Sequence, residues 1–363
     1  MTKSRDIANS TSTLDVDGGT IKLDGNYPNG VNNVALGNTA LDTASGSNGY
    51  SVAIGTNALT AMTSGGSNVA VGYASGAAIT TGGNNIAVGS EALDATTTGN
   101  SNVAMGSAAL GANTTASSNV AVGHQALNAN TTAPNNTAVG YRASHDNTTG
   151  TRNVSMGVDA MYQTTTGNDL VGIGAEALTR NTTGSNNVAI GKEALSRNTT
   201  ASSNTAVGYQ AGYTNTTSAG NTYIGNYAGQ GTTGAANTFV GSGSGYLVTS
   251  GAKNTIIGQY NGNQGNLDIR TSSNNIVLSD GDGNPRVSVN SIGEVSSNGT
   301  NVSAVTYRGK NTNGSYESVG IMSDISRTST GGTYYHFAAY DRAGSAYKFQ
   351  VHDDGDVVNV NNS

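Results

Sequence analysis

A glycine recurs every 17 residues through two-thirds of this chain, at positions 37, 55, 72, 89, 106, 123, 140, 157, 174, 191, 208, 225, 241 and 258, with only two steps of another length. Before it stands Asn-Val-Ala-Val/Ile, as in Asn68 to Gly72, Asn119 to Gly123 and Asn187 to Gly191. A strict short period means one structural unit stacked many times. It predicts an elongated scaffold of about fourteen coils rather than a set of globular domains.

Within a coil, the residue one before the glycine is apolar in all fourteen copies. The residue three before it is Val or Ile in nine and Thr in five. Positions two apart share a face of a strand, so each coil carries one short strand with a β-branched pair. The residue between is usually Ala (Ala35, Ala70, Ala121), which allows close packing on the other face. The glycine ends the strand at a corner. The position four before it is Asn in twelve of fourteen coils, which suits both an Asx-type turn into the strand and a stacked ladder. Ala follows at three after the glycine and Leu at four, as in Leu59, Leu93 and Leu127. From Gly212 onward the Leu is replaced by Gly, and Tyr223, Phe239 and Ile256 take the Ala position within the strand.

The composition agrees with a thin, periodic core. The 363 residues include 52 Gly, 3 Phe, no Trp and no Cys, and 10% are charged. One coil has about four core side chains, and at roughly 25 cal/mol per Å² these hardly offset the ordering of its backbone at about 1–2 kcal/mol per residue. Stacking of coils, and association of chains along the axis, are the expected further sources of burial. The expected fold class is therefore all-β: a parallel β-solenoid or β-roll, trimeric, with a C-terminal antiparallel β domain. With strands about 4.8 Å apart, its fourteen coils form a rod of roughly 65 Å.

The motif Asn187-Val-Ala-Ile-Gly191 with its small-residue turn resembles the head repeats of trimeric autotransporter adhesins, over about residues 31–262. The resemblance implies a left-handed parallel β-roll with three chains about one axis. It also implies that the Val and Ile of the motif face the core: Val69 and Val71, Val120 and Val122, Val188 and Ile190. Repeats such as Asn204-Thr-Ala-Val-Gly-Tyr-Gln-Ala-Gly-Tyr213 resemble those of tail fibres from marine tailed phages. So do the opening Lys3-Ser-Arg-Asp-Ile-Ala8 with Leu14 to Leu23, and the closing Phe349 to Ser363, which is similar to the segment before a self-cleaving chaperone. This second resemblance implies a homotrimeric virion fibre that meets a phage tail or baseplate protein at one end and a host-cell surface glycan at the other. A bacterial extracellular or cell-surface adhesin filament is the alternative.

Residues 1–30 are polar and fit an attachment segment; 31–265 form the repeat shaft. Residues 266–363 change pattern and fit a C-terminal β domain, with strands expected at 275–278, 286–289, 318–322, 334–340 and 347–351, the last two as a hairpin. Fifteen of the twenty aromatic residues lie after residue 205. Tyr334, Tyr335, Phe337, Tyr340 and Tyr347 are candidates for stacking on sugar rings as well as for packing.

A net charge of −6 with few Lys and Arg argues against nucleic acid. The absence of Cys excludes disulfides and thiolate-held metals. The N-terminal residues have no apolar core of a secretory signal, and no run reaches the about 18 apolar residues of a membrane helix, so neither signal-peptide export nor membrane insertion is expected. Asp280-Gly-Asp282-Gly-Asn284 spaces its oxygens like a calcium loop, but Pro285 replaces the required glycine and a tight turn is expected. Thr stands eight after the glycine in twelve consecutive coils, Thr63 to Thr249, an array that suits turns and strands and, if flat and outward, an ice lattice. The four histidines have no ligand spacing, and no nucleophile or phosphate-binding motif is present. No enzymatic activity and no cofactor or metal are expected.

Overall fold

The computed structural model describes residues 14–16, 19–21, 32–43, 49–297, 335–341, 346–352 and 357–359. Among these there is no helix. The chain divides into two compact units, Met1–Gly299 and Thr300–Ser363.

The first unit is a parallel β-solenoid. Each repeat contributes one three-residue strand, from Val34–Leu36 to Thr255–Ile257. Neighbouring strands pair in parallel with equivalent residues opposite, so that Val103, Ala104 and Met105 meet Val120, Ala121 and Val122. Register is kept outside the strands as well. The N–H of Leu110 donates to the carbonyl of Ala126 at 3.0 Å, and that of Thr114 to Thr131 at 2.9 Å. Turn backbone in a globule spends its polar groups on water or side chains; here it pairs with the same turn one coil away.

Two backbone features make the coil close. The repeat glycine has a φ near +135°, as at Gly123 (φ 137°), and a Cβ placed there would lie 2.3 Å from the carbonyl oxygen of Gly140. Conformation and contact both require glycine. The residues two and four after it are also left-handed without being glycine, as in Gln125 (φ 57°) and Leu127 (φ 51°). Each such residue costs about 1–2 kcal/mol, and its inter-coil hydrogen bonds, with burial of Leu127, hold it there.

Within the single chain the interior of the coil takes the strand alanine rather than the Val/Ile pairs. Ala70, Ala121 and Ala189 are fully buried. Their flanking residues Val69, Val71, Val120, Val122 and Val188 are only half-buried, and Ile190 is exposed. The pairs therefore lie on the outer face of the sheet, and the chain's own core takes the alanine. The reason is width. The interior already holds the Ala and Leu after the glycine, such as Ala126 and Leu127, and a buried Asn such as Asn119. Only a methyl group fits the strand position opposite them.

The later coils keep this volume by exchange. Where Tyr223 and Phe239 replace the strand Ala, Gly replaces the Leu. A Cβ at Gly229 would lie 2.3 Å from the Tyr223 ring, and one at Gly245 would lie 2.4 Å from the Phe239 ring. Tyr223 and Phe239 are fully buried and stack coil on coil, with ring centroids 5.8 Å apart. Met161 with Gly172 is a third case: a Cβ at Gly172 would meet the Met161 Cγ at 2.6 Å.

The parallel sheet continues past residue 265. Ile276–Ser279 pairs in parallel with Thr255–Ile257 after an inserted hairpin, Asn263–Gln264 with Leu267–Asp268. Pro285–Val289 and Val295–Ser297 then add in antiparallel order. Near the N-terminus, Leu14–Val16 pairs with Gly19–Ile21. In the second unit Tyr335–Asp341, Ala346–His352 and Val357–Asn359 form an antiparallel sheet, which includes the expected hairpin. The strand expected at 318–322 lies outside the described residues.

The exchange is testable by calorimetry. Gly229→Leu should destabilise the solenoid by about 1–3 kcal/mol through overpacking, and Tyr223→Ala by roughly 3–5 kcal/mol through a cavity. The double variant restores the Ala and Leu pairing of the earlier coils and should recover most of either loss. Additive losses would show that the two positions do not share one volume.

Candidate functional site

The outer face of the parallel sheet is a continuous surface feature that runs through all the described coils. It carries an apolar pair in nine of the fourteen coils and one apolar residue in the other five, including Val34 (43% exposed), Met105 (44%) and Ile257 (49%), and ends at Ile276 and Leu278. Strand register stacks these pairs into two apolar columns along the coil axis. Thr137, Thr205, Thr222, Thr238 and Thr255 enter one column while the other stays apolar throughout. At about 4.8 Å per coil the stripe is roughly 65 Å long.

The asparagine four before the glycine builds an internal ladder. The N–H of Asn102 donates to Asn85 Oδ1 at 2.9 Å, and Asn102 Oδ1 in turn accepts from the N–H of Asn119 at 3.0 Å. Asn102 Nδ2 donates to the carbonyl of Ala116 at 2.9 Å, in the turn of the next coil. All three bonds run between coils, so this asparagine serves the ladder, and its Oδ1 accepts from the next coil rather than from its own turn. A second ladder, seven after the glycine, was not evident from the sequence: Asn130 Nδ2 donates to Asn113 Oδ1 at 3.1 Å, and Asn147 Nδ2 to Asn130 Oδ1 at 2.8 Å. These three residues are buried, and their amides bond within the stack, except that Asn147 Oδ1, at the end of this run, has no partner among the described residues.

The threonine array is a further internal device. Thr80 Oγ1 donates to the carbonyl of Thr97 at 3.1 Å, Thr97 to Thr114 at 3.2 Å and Thr114 to Thr131 at 3.1 Å. The hydroxyl protons point along the coil axis into backbone carbonyls. They are committed to the stack rather than offered to a solvent lattice.

At the acidic turn, Asp280 Oδ1 accepts from the N–H groups of Asp282 and Asn284 at 3.1 and 2.9 Å, and Oδ2 accepts from Arg286 Nε at 2.9 Å. The Asn284 N–H and the Arg286 guanidinium hold its carboxyl below the usual carboxylate range. Its oxygens are used by a turn, as expected. Among the described residues no three His, Asp or Glu side chains gather as a metal site, and no helix is long and apolar enough to cross a membrane. His124 stacks on Tyr141 one coil on, with centroids 5.5 Å apart, and His145 on Tyr162 at 5.2 Å. Of the aromatic candidates, Tyr335, Phe337 and Tyr340 lie on one strand and Tyr347 on its partner, with Tyr340 opposite Tyr347. Their side chains, and Tyr334 altogether, lie outside the described residues.

No family model, curated protein or solved structure matches this chain.

Removing one rung of the ladder should be costly. Asn102→Ala strands the Asn119 N–H in a dry interior and removes one of two donors to the Ala116 carbonyl, at about 1–3 kcal/mol, while Thr114→Val, at the half-exposed edge, should cost less than about 1.5 kcal/mol. Equal shifts of the thermal midpoint would show that the asparagine ladder carries no more than the threonine one.

Proposed function

We propose that this chain is the subunit of a homotrimeric structural fibre of a tailed phage. In this reading residues 1–30 attach it to a tail or baseplate protein, the solenoid is the shaft, and the C-terminal region presents a surface to a host-cell glycan. The resemblance of the repeats and of both ends to such fibres supplies the identity. The observation that supports a multi-chain fibre is the apolar stripe.

A sheet face with Val and Ile outward on coil after coil is not how a lone solenoid meets water. Of the 23 apolar side chains that the fourteen coils place in these columns, eight are exposed by 37–49% and the rest are partly buried, which leaves on the order of 1,000 Å² per chain, comparable to the roughly 800 Å² per partner of a standard stable interface. Three parallel chains with their stripes toward one axis would bury these columns in a shared core. The chain's own interior of Ala, Leu and Asn would remain as it is. A cell-surface adhesin filament would use the same stripe, and neighbouring genes separate the two: structural phage genes against secretion genes. An ice-binding role fits less well, since the threonine hydroxyls donate along the stack.

The expected result is a trimer by sedimentation velocity and light scattering under native conditions. Val120→Asp with Val122→Asp places carboxylates on the outer face, so it should shift the mass toward monomer while far-ultraviolet circular dichroism keeps its β signal. A monodisperse, folded monomer of the unaltered chain would overturn the trimer. Unfolding of the variant as a monomer would show that the pair supports the chain's own core.

A further inference from the structure

The solenoid repeats one chemistry in its interior but not on its flank. The residues five and six after the glycine lie on this flank, and between Gly157 and Gly208 they change from coil to coil, with Ser196 buried and the others at least partly exposed. Tyr162 and Tyr213 occupy equivalent positions three coils apart, while Thr179 and Ser196 fill that position between them. Two small side chains between two rings leave a notch with a volume of ≈ 360 Å³ that is lined by all four. That is within the range of about 300–1,000 Å³ typical of small-molecule sites. At about 4.8 Å per coil, the two tyrosines stand roughly 14 Å apart along the axis.

The charges in the notch are unbalanced in one direction. Arg180 and Arg197 are both six after their glycines, on consecutive coils, and neither has a carboxylate within ion-pair distance among the described residues. Arg197 lies over the Tyr213 ring at 4.7 Å. Asp159, at one end, is already neutralised by Arg142 through paired bonds of 2.8 and 2.9 Å. Glu176 remains as an exposed acceptor. The two groups shown against the Tyr162 ring, Arg142 at 4.7 Å and the His145 ring at 5.2 Å, both come from the coil before it, and Tyr162 itself lines the notch.

We infer that this notch is a lateral binding site for an acidic saccharide, with a pyranose ring on Tyr162 and its carboxylate between Arg180 and Arg197. The arrangement supplies each element of that chemistry. The aromatic ring lining the notch receives the apolar side of a sugar ring. Two guanidiniums one coil apart form paired donors for a carboxylate. Glu176 and the Gln163 amide accept and donate to hydroxyls. A simple anion would use the arginines and leave the ring unused; a neutral sugar would leave two like charges facing each other. The site lies in the shaft and is separate from the distal surface of the proposed fibre. It exists within one chain, so it stands or falls independently of that reading.

The test uses the full chain and four probes: oligogalacturonate, sialyllactose, the neutral maltotriose, and inorganic sulfate. Saturation-transfer NMR and calorimetry should show one or both acidic saccharides binding, weakening as salt rises, with maltotriose and sulfate at least tenfold weaker. Arg180→Gln with Arg197→Gln, and Tyr162→Ala separately, should each lower affinity at least tenfold. Thr179→Tyr fills the notch with a side chain the fold accepts at this position in three other coils, at Tyr162, Tyr213 and Tyr246. It should abolish binding with the thermal midpoint preserved. Absence of binding by either acidic saccharide at millimolar concentration overturns the inference. So does sulfate binding as tightly as the saccharides, or saccharide binding that survives Thr179→Tyr.

Discussion

Everything in the solenoid depends on backbone hydrogen bonding between equivalent residues one coil apart. A strand of three residues is far too short to be stable alone. It persists because each has an identical neighbour in register on either side, and because the turns between strands are paired in the same way. Once that register is set, any side chain is repeated at the strand spacing. A polar residue at an inward position therefore becomes a ladder, a glycine at a corner becomes a column of close backbone contacts, and an apolar pair at an outward position becomes a stripe. The coil-to-coil ion pairs, Arg142 with Asp159 and Arg152 with Asp169, follow from the same spacing.

The register also explains how a chain so poor in large apolar residues sustains a core. Ala and Leu fill little volume, but the coil is narrow. Much of the interior polarity is asparagine, whose amide both accepts from the backbone of the next coil and donates into its turn. The late coils solve the same volume problem with one large ring and a glycine instead of Ala and Leu. That exchange removes a left-handed leucine and lets a buried aromatic column form through Tyr223 and Phe239. The two solutions share one backbone, which is why the period continues across the change.

Function, on this view, divides by surface. The outer sheet face is uniform and suits association with copies of the same chain. The flank of the turns varies more, because only some of its side chains, such as Ser196, Asn128 and Thr214, pack inward or bond to the backbone of another coil. Diversity accumulates there, and a notch arises wherever two small residues fall between two large ones.

The period, the one strand per coil, the corner glycine and the all-β class are legible in the sequence because each is a local property repeated many times. The ladder of asparagines four before the glycine is legible for the same reason, although the Asx-type turn that the position also suits is not what its side chain makes. What the sequence did not decide is which side of a three-residue strand faces inward. Val-Ala-Val alternates either way, and the larger side chains argue for the inside on hydrophobicity alone. Only the width of the closed coil, set by Leu127 and its equivalents lying in left-handed backbone, excludes the valines and admits the alanine. Leucine at a positive φ carries no signal in sequence, since it is a conformation the residue takes only when its neighbours in space impose it. The second asparagine ladder and the flank notch were hidden for a related reason. Their members are 17 or more residues apart, and only the closed coil makes them neighbours.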